Sequence, residues 1–225
     1  QLEEIVSDIP AKAQLLAEAF WPGSLTLILK KKPGIPDVIT AGKETVAVRI
    51  PNHPVALKLL KELSFPLAAP SANPFNRISP TSALHVESYF KDSIKMVLDG
   101  GECVNGLEST IVGFEDNEPV LYRLGAISVE EIEKVVGKIS IKNKKEKAPD
   151  APGMLAKHYS PKTKTYLVSD IEKFIAENKD KTIGLVCFSK PITDLNVKHV
   201  EVLSESGDLK EAASKLYSSL HKLDD

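Results

Sequence analysis

Ser109-Thr-Ile-Val-Gly-Phe-Glu-Asp-Asn-Glu-Pro-Val-Leu-Tyr-Arg-Leu124 reads as two short strands, Ser109 to Phe114 and Val120 to Leu124, around the polar turn Glu115 to Glu118. Apolar and β-branched runs flanking a polar turn are the pattern of paired strands. Downstream, Ser128 with Glu131 forms a capping box that opens a helix to about Val136. Upstream, Ile9, Ala13, Leu16, Ala17 and Phe20 recur at three- and four-residue steps and predict a helix over 7–20, broken by Pro22-Gly23. Ser24 to Leu29 and Thr45 to Ile50 read as strands, and His53-Pro54 opens a helix through Leu63. Phe65 to Ala69 reads as a further strand, Ser79-Pro80 as the start of a helix to about Phe90, and Lys95 to Leu98 as another strand. Single helices mixed with paired strands predict an α/β domain on a mixed, α+β-type sheet over 1–141.

The pattern changes at 142–163. A charge run, Lys142 to Lys147, is followed by Ala148-Pro149-Asp150-Ala151-Pro152-Gly153, a composition that marks a linker. Beyond it come a strand over Thr165 to Val168 and a helix from Ser169 to Asn178, with a capping box of Ser169 and Glu172. Strands over Thr182 to Phe188 and His199 to Leu203 follow, then a helix from about Asp208 to Leu223. This alternation predicts a small, Rossmann-like parallel α/β domain over 164–225, of a size that gives little independent core.

Composition narrows the function. The chain has 225 residues, enough for one or two domains. With 42% hydrophobic and 27% charged residues it has the apolar content of a folded chain. Its longest apolar runs, such as Leu25 to Leu29, fall far short of the ~20 residues of a membrane span. A net charge of −2 makes no bulk case for nucleic acid, which leaves only a local basic face. Cys103 and Cys187 form neither a disulfide framework nor a zinc cluster and read as free, buried thiols of a reducing compartment. The segment from Gln1 to Phe20 lacks the basic-then-apolar order of a signal peptide.

No Walker loop, GxGxxG, HExxH or GxSxG occurs, and the five histidines lack metal-ligand spacing, so they read as surface or capping residues and no metal site is expected. Three segments carry polar groups suited to an anion. Pro66-Leu-Ala-Ala-Pro-Ser-Ala-Asn-Pro74 ends a small-residue strand in Ser71 and Asn73, and a polar loop reaches Ser79-Pro80-Thr81. Hydroxyl, amide and backbone N–H groups at a strand end suit phosphate oxygens. By composition alone, turn chemistry for Ser71 and Asn73 and an N-cap for Ser79 are the simpler readings. Arg49 ends the apolar strand Thr45-Val-Ala-Val-Arg49, where burial would demand an anionic ligand or an internal acid. Asn105-Gly-Leu-Glu-Ser-Thr110 and Leu121-Tyr-Arg-Leu-Gly125 add a hydroxyl pair and a second guanidinium, Arg123.

Taken together these residues resemble the YrdC-like threonylcarbamoyl-adenylate synthase family. Six ordered motifs carry the resemblance: Trp21-Pro-Gly-Ser-Leu-Thr-Leu-Ile-Leu29, Val46-Ala-Val-Arg-Ile-Pro51, Ala68-Ala-Pro-Ser-Ala-Asn73, Ser79-Pro-Thr81, Gly106-Leu-Glu-Ser-Thr110 and Arg123-Leu-Gly125. The linker Ala151-Pro-Gly-Met-Leu-Ala-Lys-His-Tyr-Ser-Pro161 resembles that of longer members with a second domain. Within the linker over 142–163, Pro149, Pro152 and Pro161 around the joint at Gly153, with Lys157-His158-Tyr159 after it, suit a lid over a nucleotide better than a plain spacer. The resemblance implies a twisted α/β sheet with a concave, positively lined cavity and a cytoplasmic enzyme. Its reaction makes threonylcarbamoyl-AMP and pyrophosphate from L-threonine, bicarbonate and ATP, usually with Mg2+. The product feeds the tRNA threonylcarbamoyl transferase machinery. ATP contacts fall on Thr45, Ser71, Ser79, Arg123 and Tyr159, with Asn73 on the nucleotide side. Threonine contacts fall on Arg49, the backbone at Ala69, and Ser109. The family's opening strand, with its Pro-Thr-Asp-Thr and Lys-x-Arg motifs, has no counterpart here, so the chain is expected to be an N-terminally incomplete first domain. Two other readings compete. One is an RNA-binding module of the same fold, with Lys30-Lys31-Lys32 and Lys142 to Lys147 as contacts. The other is a carbamoyl transferase of hydrogenase maturation, which the linker and second domain disfavour.

Overall fold

The computed structural model describes residues 2–142, 159–190, 197 and 199–224. In chain order the elements are α1 (Leu2–Ile5), α2 (Ala11–Phe20), β1 (Leu25–Lys30), α3 (Asp37–Thr40), β2 (Thr45–Val48), α4 (Pro54–Glu62) and α5 (Ala83–Phe90). They continue with β3 (Thr110–Glu115), β4 (Glu118–Arg123), α6 (Val129–Val136), β5 (Ser140–Ile141), α7 (Ile171–Glu177), β6 (Gly184–Cys187), β7 (His199–Val202) and α8 (Leu209–Asp224). The described residues form two compact units, one within Gln1–Ser71 and Glu108–Ala156, the other within Ala72–Leu107 and Lys157–Asp225.

The first unit is built on a five-stranded sheet in the order β2-β1-β3-β4-β5. The hairpin read from the sequence is β3 and β4, closed at Glu115↔Glu118. Asp116 and Asn117 both take positive φ, 50° and 65°. A two-residue turn of that hand matches the twist of its strands, and Asp and Asn tolerate it best after glycine. β1 runs parallel to β3 and antiparallel to β2, and β5 is parallel to β4, so the sheet is mixed. Strand alternation sends Leu25, Leu27 and Leu29 to one face, where they pack with Val112, Leu121, Ala13 and Leu16 of α2, and Ile132 and Val136 of α6. The predicted capping box of Ser128 and Glu131 is present at the start of α6. α2 begins at Ala11 and not at residue 7, because Val6 bridges Lys31 and the Ser7 N–H donates to the Lys30 carbonyl.

The second unit holds the parallel pair β6 and β7, in register from Gly184↔His199 to Cys187↔Val202, and the long helix α8. Three segments read as strands are not strands. Phe65 to Ala69, Lys95 to Leu98 and Thr165 to Val168 have no ladder partner among the described residues. A strand exists only by pairing, so their apolar side chains stay open: Met96 is 78% exposed and Leu167 fully so. Two caps also shift. Ser82, not Ser79, caps α5 by accepting from the His85 N–H, and Asp170, not Ser169, caps α7 by accepting from the Lys173 N–H.

Candidate functional site

In the first unit, Arg49, Ser109 and Arg123 come to one end of the sheet. β1 and β3 both start there, and β4 ends there. Arg123 Nε and a terminal nitrogen donate to the Ser109 carbonyl at 3.0 and 2.8 Å, and that terminal nitrogen also reaches Ser109 Oγ at 3.0 Å. Ser109 Oγ is 2.7 Å from Thr26 Oγ1, and both residues are buried. The turn after Arg123 needs Gly125, since a Cβ there would fall 2.4 Å from the Glu108 carbonyl oxygen. The Thr110 hydroxyl ties the same turn by donating to the Ile127 carbonyl and accepting from its N–H.

Arg49 donates from Nε to the Gly23 carbonyl at 2.8 Å, while the Gly23 N–H donates to the Ile50 carbonyl. The neighbouring Ser24 carbonyl accepts from the Thr110 N–H, so one corner of backbone positions both Arg49 and the Ser109 strand. Arg49 is exposed, one residue past the end of β2 at Val48, so its guanidinium escapes the burial that would demand an anionic ligand or an internal acid. This end of the sheet thus offers two guanidiniums and a hydroxyl pair, a donor set matched to a carboxylate or a phosphate.

Thr45 lies at the far end of β2, opposite Lys30. It lines a cavity of about 190 Å³ with Ile28, Lys43, Phe114, Tyr122 and Lys142. Lys142 Nζ sits 4.8 Å from the centre of the Tyr122 ring and pairs with Glu115. Burial pushes the Tyr122 phenol up; Lys142 pulls it down less than burial and Glu115 raise it. Ala69 and Ser71 are exposed and lie outside any helix or strand.

Asn73, Ser79 and Tyr159 belong to the second unit. Asn73 does the turn chemistry expected of it, donating from Nδ2 to the Arg77 carbonyl at 2.9 Å. Its Oδ1 and that of Asn76 are buried without a hydrogen-bond partner among the described residues. Ser79 follows fully buried Ile78, and its carbonyl is 3.1 Å from His221 Nε2. Tyr159, at φ 56°, sets its ring 5.8 Å from that of Tyr217 on α8. Of the lid expected over 142–163, residues 143–158 lie outside the described residues, as does most of the Lys142 to Lys147 run.

A family model described as "Telomere recombination", for Sua5, YciO and YrdC proteins, matches residues 1–125. The chain belongs to the Sua5–YciO–YrdC family. A second model, the threonylcarbamoyl-AMP synthase C-terminal domain, matches residues 127–225, so it is the family's long form. The threonylcarbamoyl-AMP synthase of Pyrococcus abyssi is 40% identical over 238 residues, which cover all of this chain and 68% of that protein. The Bacillus subtilis synthase is 36% identical with the same coverage. A crystal structure of P. abyssi Sua5 complexed with L-threonine matches all of this chain and 68% of its own at a TM-score of 0.89 and 38% identity.

Three residues of the site region escaped the sequence reading. Thr26 interrupts the apolar run of β1, and that break was its signal. Lys43 gave none, since a lysine in a turn is ordinary. His221 was read as a surface residue and is buried at 6% exposure. Its partner Ser79 lies 142 positions away, beyond any local pattern. Cys103, expected buried, is exposed, whereas Cys187 is buried.

Proposed function

We infer that this chain carries L-threonylcarbamoyladenylate synthase activity, making threonylcarbamoyl-AMP and pyrophosphate from L-threonine, bicarbonate and ATP. The observation that carries it is the likeness, along the whole of this chain and 68% of the relatives, to named synthases. The Arg49, Ser109 and Arg123 end of the sheet supports it with donors for a carboxylate. The threonine amine takes up bicarbonate with loss of water and gives a carbamate. A carbamate oxygen attacks the α-phosphorus, the bond from that phosphorus to the bridging oxygen breaks, and pyrophosphate leaves. No enzyme nucleophile is needed, so the protein contributes positioning and charge neutralisation.

In this reading Arg49, the Ala69 backbone and Ser109 hold threonine, and Thr45, Ser71, Asn73, Ser79, Arg123 and Tyr159 hold ATP. Buried Asn73 Oδ1 supports the nucleotide role, because a buried acceptor without a donor is costly. Residues 1–141 form the synthase domain, 142–163 the lid and 164–225 the second domain. Among the described residues no group of three or more His, Cys, Asp or Glu side chains converges. That donor set fits Mg2+ carried by the ATP phosphates better than Mg2+ caged by the protein. The ion supplies charge neutralisation at the phosphates. The product passes to a tRNA threonylcarbamoyl transferase, and the same reading places the enzyme in the cytoplasm with that machinery. Among the described residues no helix is long and apolar enough to cross a membrane.

The test is ATP-dependent pyrophosphate release. Release that requires both threonine and bicarbonate supports the synthase; salt-sensitive RNA binding without release favours the RNA-binding module.

A further inference from the structure

α8 reaches back to the segment that carries Ser79. The His85 and His221 rings stack with centroids 3.8 Å apart and planes 18° from parallel. His221 Nε2 lies 3.1 Å from the Ser79 carbonyl, which can only accept, so that nitrogen carries the proton. The Thr81 N–H donates to His85 Nδ1 at 3.2 Å, so this nitrogen is the acceptor. The stacked pair therefore grips the Ser79-Pro80-Thr81 backbone on both sides of Pro80, at the carbonyl before it and the amide after it. Pro80 has no N–H and a fixed φ, so the segment is held through the groups around it, and the Thr81 carbonyl adds a third hold by accepting from the Cys103 N–H at 2.8 Å.

The surroundings hold the pair in place. Tyr89 sets its ring 5.7 Å from His221 and donates from its hydroxyl to the Ile78 carbonyl at 3.0 Å. Thr81 is buried at 2% exposure and His221 at 6%. Gly106 lets the chain pass against α8 about two turns earlier; a Cβ there would sit 1.9 Å from the Ser214 carbonyl oxygen. A single contact at the surface would be incidental. An oriented imidazole pair, His221 buried and His85 half-buried, on both flanks of a three-residue segment fixes its backbone.

We propose that His221 is a positioning residue for the nucleotide: through the His85 stack and the Ser79 carbonyl, helix α8 of the second domain sets the Ser79 hydroxyl for ATP. This rests on the reading of Ser79 as an ATP contact. It gives the second domain a role in nucleotide affinity.

The experiment is steady-state pyrophosphate release by the full chain, with ATP and threonine varied separately. His221→Phe keeps the stack and loses the donor, and raises the ATP KM about tenfold, the scale of one lost hydrogen bond. Its kcat and threonine KM move less than twofold. His221→Gln, whose amide can still donate to the Ser79 carbonyl, restores the ATP KM to within about twofold. Should the Phe variant fail to fold, His221→Asn, too short to reach the carbonyl, carries the same expectation. Ser79→Ala raises the ATP KM by itself, and Ser79→Ala with His221→Phe is no worse than Ser79→Ala alone. An unchanged ATP KM in folded His221→Phe, beside a raised one in Ser79→Ala, overturns the coupling and spares the Ser79 reading. An unchanged ATP KM in Ser79→Ala overturns the Ser79 reading and the coupling with it. A kcat loss in both His221→Phe and His221→Gln without a change in ATP KM also overturns the coupling, in favour of a general structural role.

Discussion

The two units keep their shape by different means. In the first, a continuous apolar cluster joins β1, β2, β3 and β4 to α2 and α6. In the second, the buried apolar residues among those described are few, chiefly Ile78, Leu185, Cys187, Ala212 and Tyr217, and Thr81, Ser204, Ser219 and His221 are buried as well. Hydrogen bonds stand in for area there. Ser204, with no exposed surface, donates to Glu211 at 2.6 Å and accepts from the Asp208 N–H at 2.8 Å. Apolar contacts are non-directional and forgive small shifts, whereas buried polar contacts hold one geometry or fail. The first unit is thus a scaffold, and the second is suited to fixing the position of a loop.

The largest effect that tests this contrast is in the scaffold. Leu27→Ala removes a side chain at 1% exposure from the middle of β1 and should cost about 2–5 kcal/mol. Thermal unfolding would show it as a clear fall in Tm. A loss under ~1 kcal/mol would mean the cluster collapses around the cavity and is less rigid than its packing indicates.

In the second unit the sharpest single change is Gly106→Ala. The added Cβ meets the Ser214 carbonyl at 1.9 Å, and φ is 63°, which L residues rarely adopt. Backbone strain of this kind costs about 1–3 kcal/mol. The decisive readout is hydrogen exchange: opening should concentrate in α8 and in residues 76–90 while β1 and β3 stay protected. Uniform loss of protection in both units would erase the distinction between them.

Arg49→Ala comes next, and it separates binding from stability. The guanidinium is exposed and makes a 2.8 Å bond to the Gly23 carbonyl, so Tm should hardly move. The threonine KM should rise about tenfold or more, the range for a lost hydrogen bond to a charged group. Arg49→Lys should not restore it, since an ammonium cannot reproduce the planar fork. A normal threonine KM in Arg49→Ala would remove Arg49 from the site.

What the sequence made legible follows the same contrast. The β3–β4 hairpin, the helix α6 with its capping box, and the parallel β6–β7 pair were all readable, because each rests on neighbours along the chain. Phe65 to Ala69 and Lys95 to Leu98 were misread because apolar composition signals a strand without naming its partner. At the site, the motif residues Arg49, Ser109 and Arg123 were visible, and their convergence on the Gly23–Ser24 corner was not. Thr26 and His221 went unseen for one reason. Their meaning lies in partners 83 and 142 positions away, and no period in the sequence encodes such a pairing.

The smallest expected effect concerns Asp224, at the last turn of α8. A carboxylate there opposes the helix dipole, whose negative end it joins. Burial also works against its charge, yet the N–H groups of Lys162 and Thr163 donate to it at 2.8 and 2.7 Å and hold it below the usual carboxylate range. A carboxylate whose folded-state pKa is depressed stabilises the fold above its unfolded value of ~3.9 and loses that contribution as pH falls through the folded value. Asp224→Asn should therefore lower Tm slightly at pH 7, by about 2 °C or less given the exposure of the group. The gap to the parent protein should close as pH drops below ~4, where the parent carboxyl takes up its own proton. A gap that persists unchanged at low pH would assign the effect to amide geometry at residues 162 and 163, with no contribution from the charge. A gap that widens on acidification would mean that burial outweighs the two donors and that the carboxyl sits above its usual range.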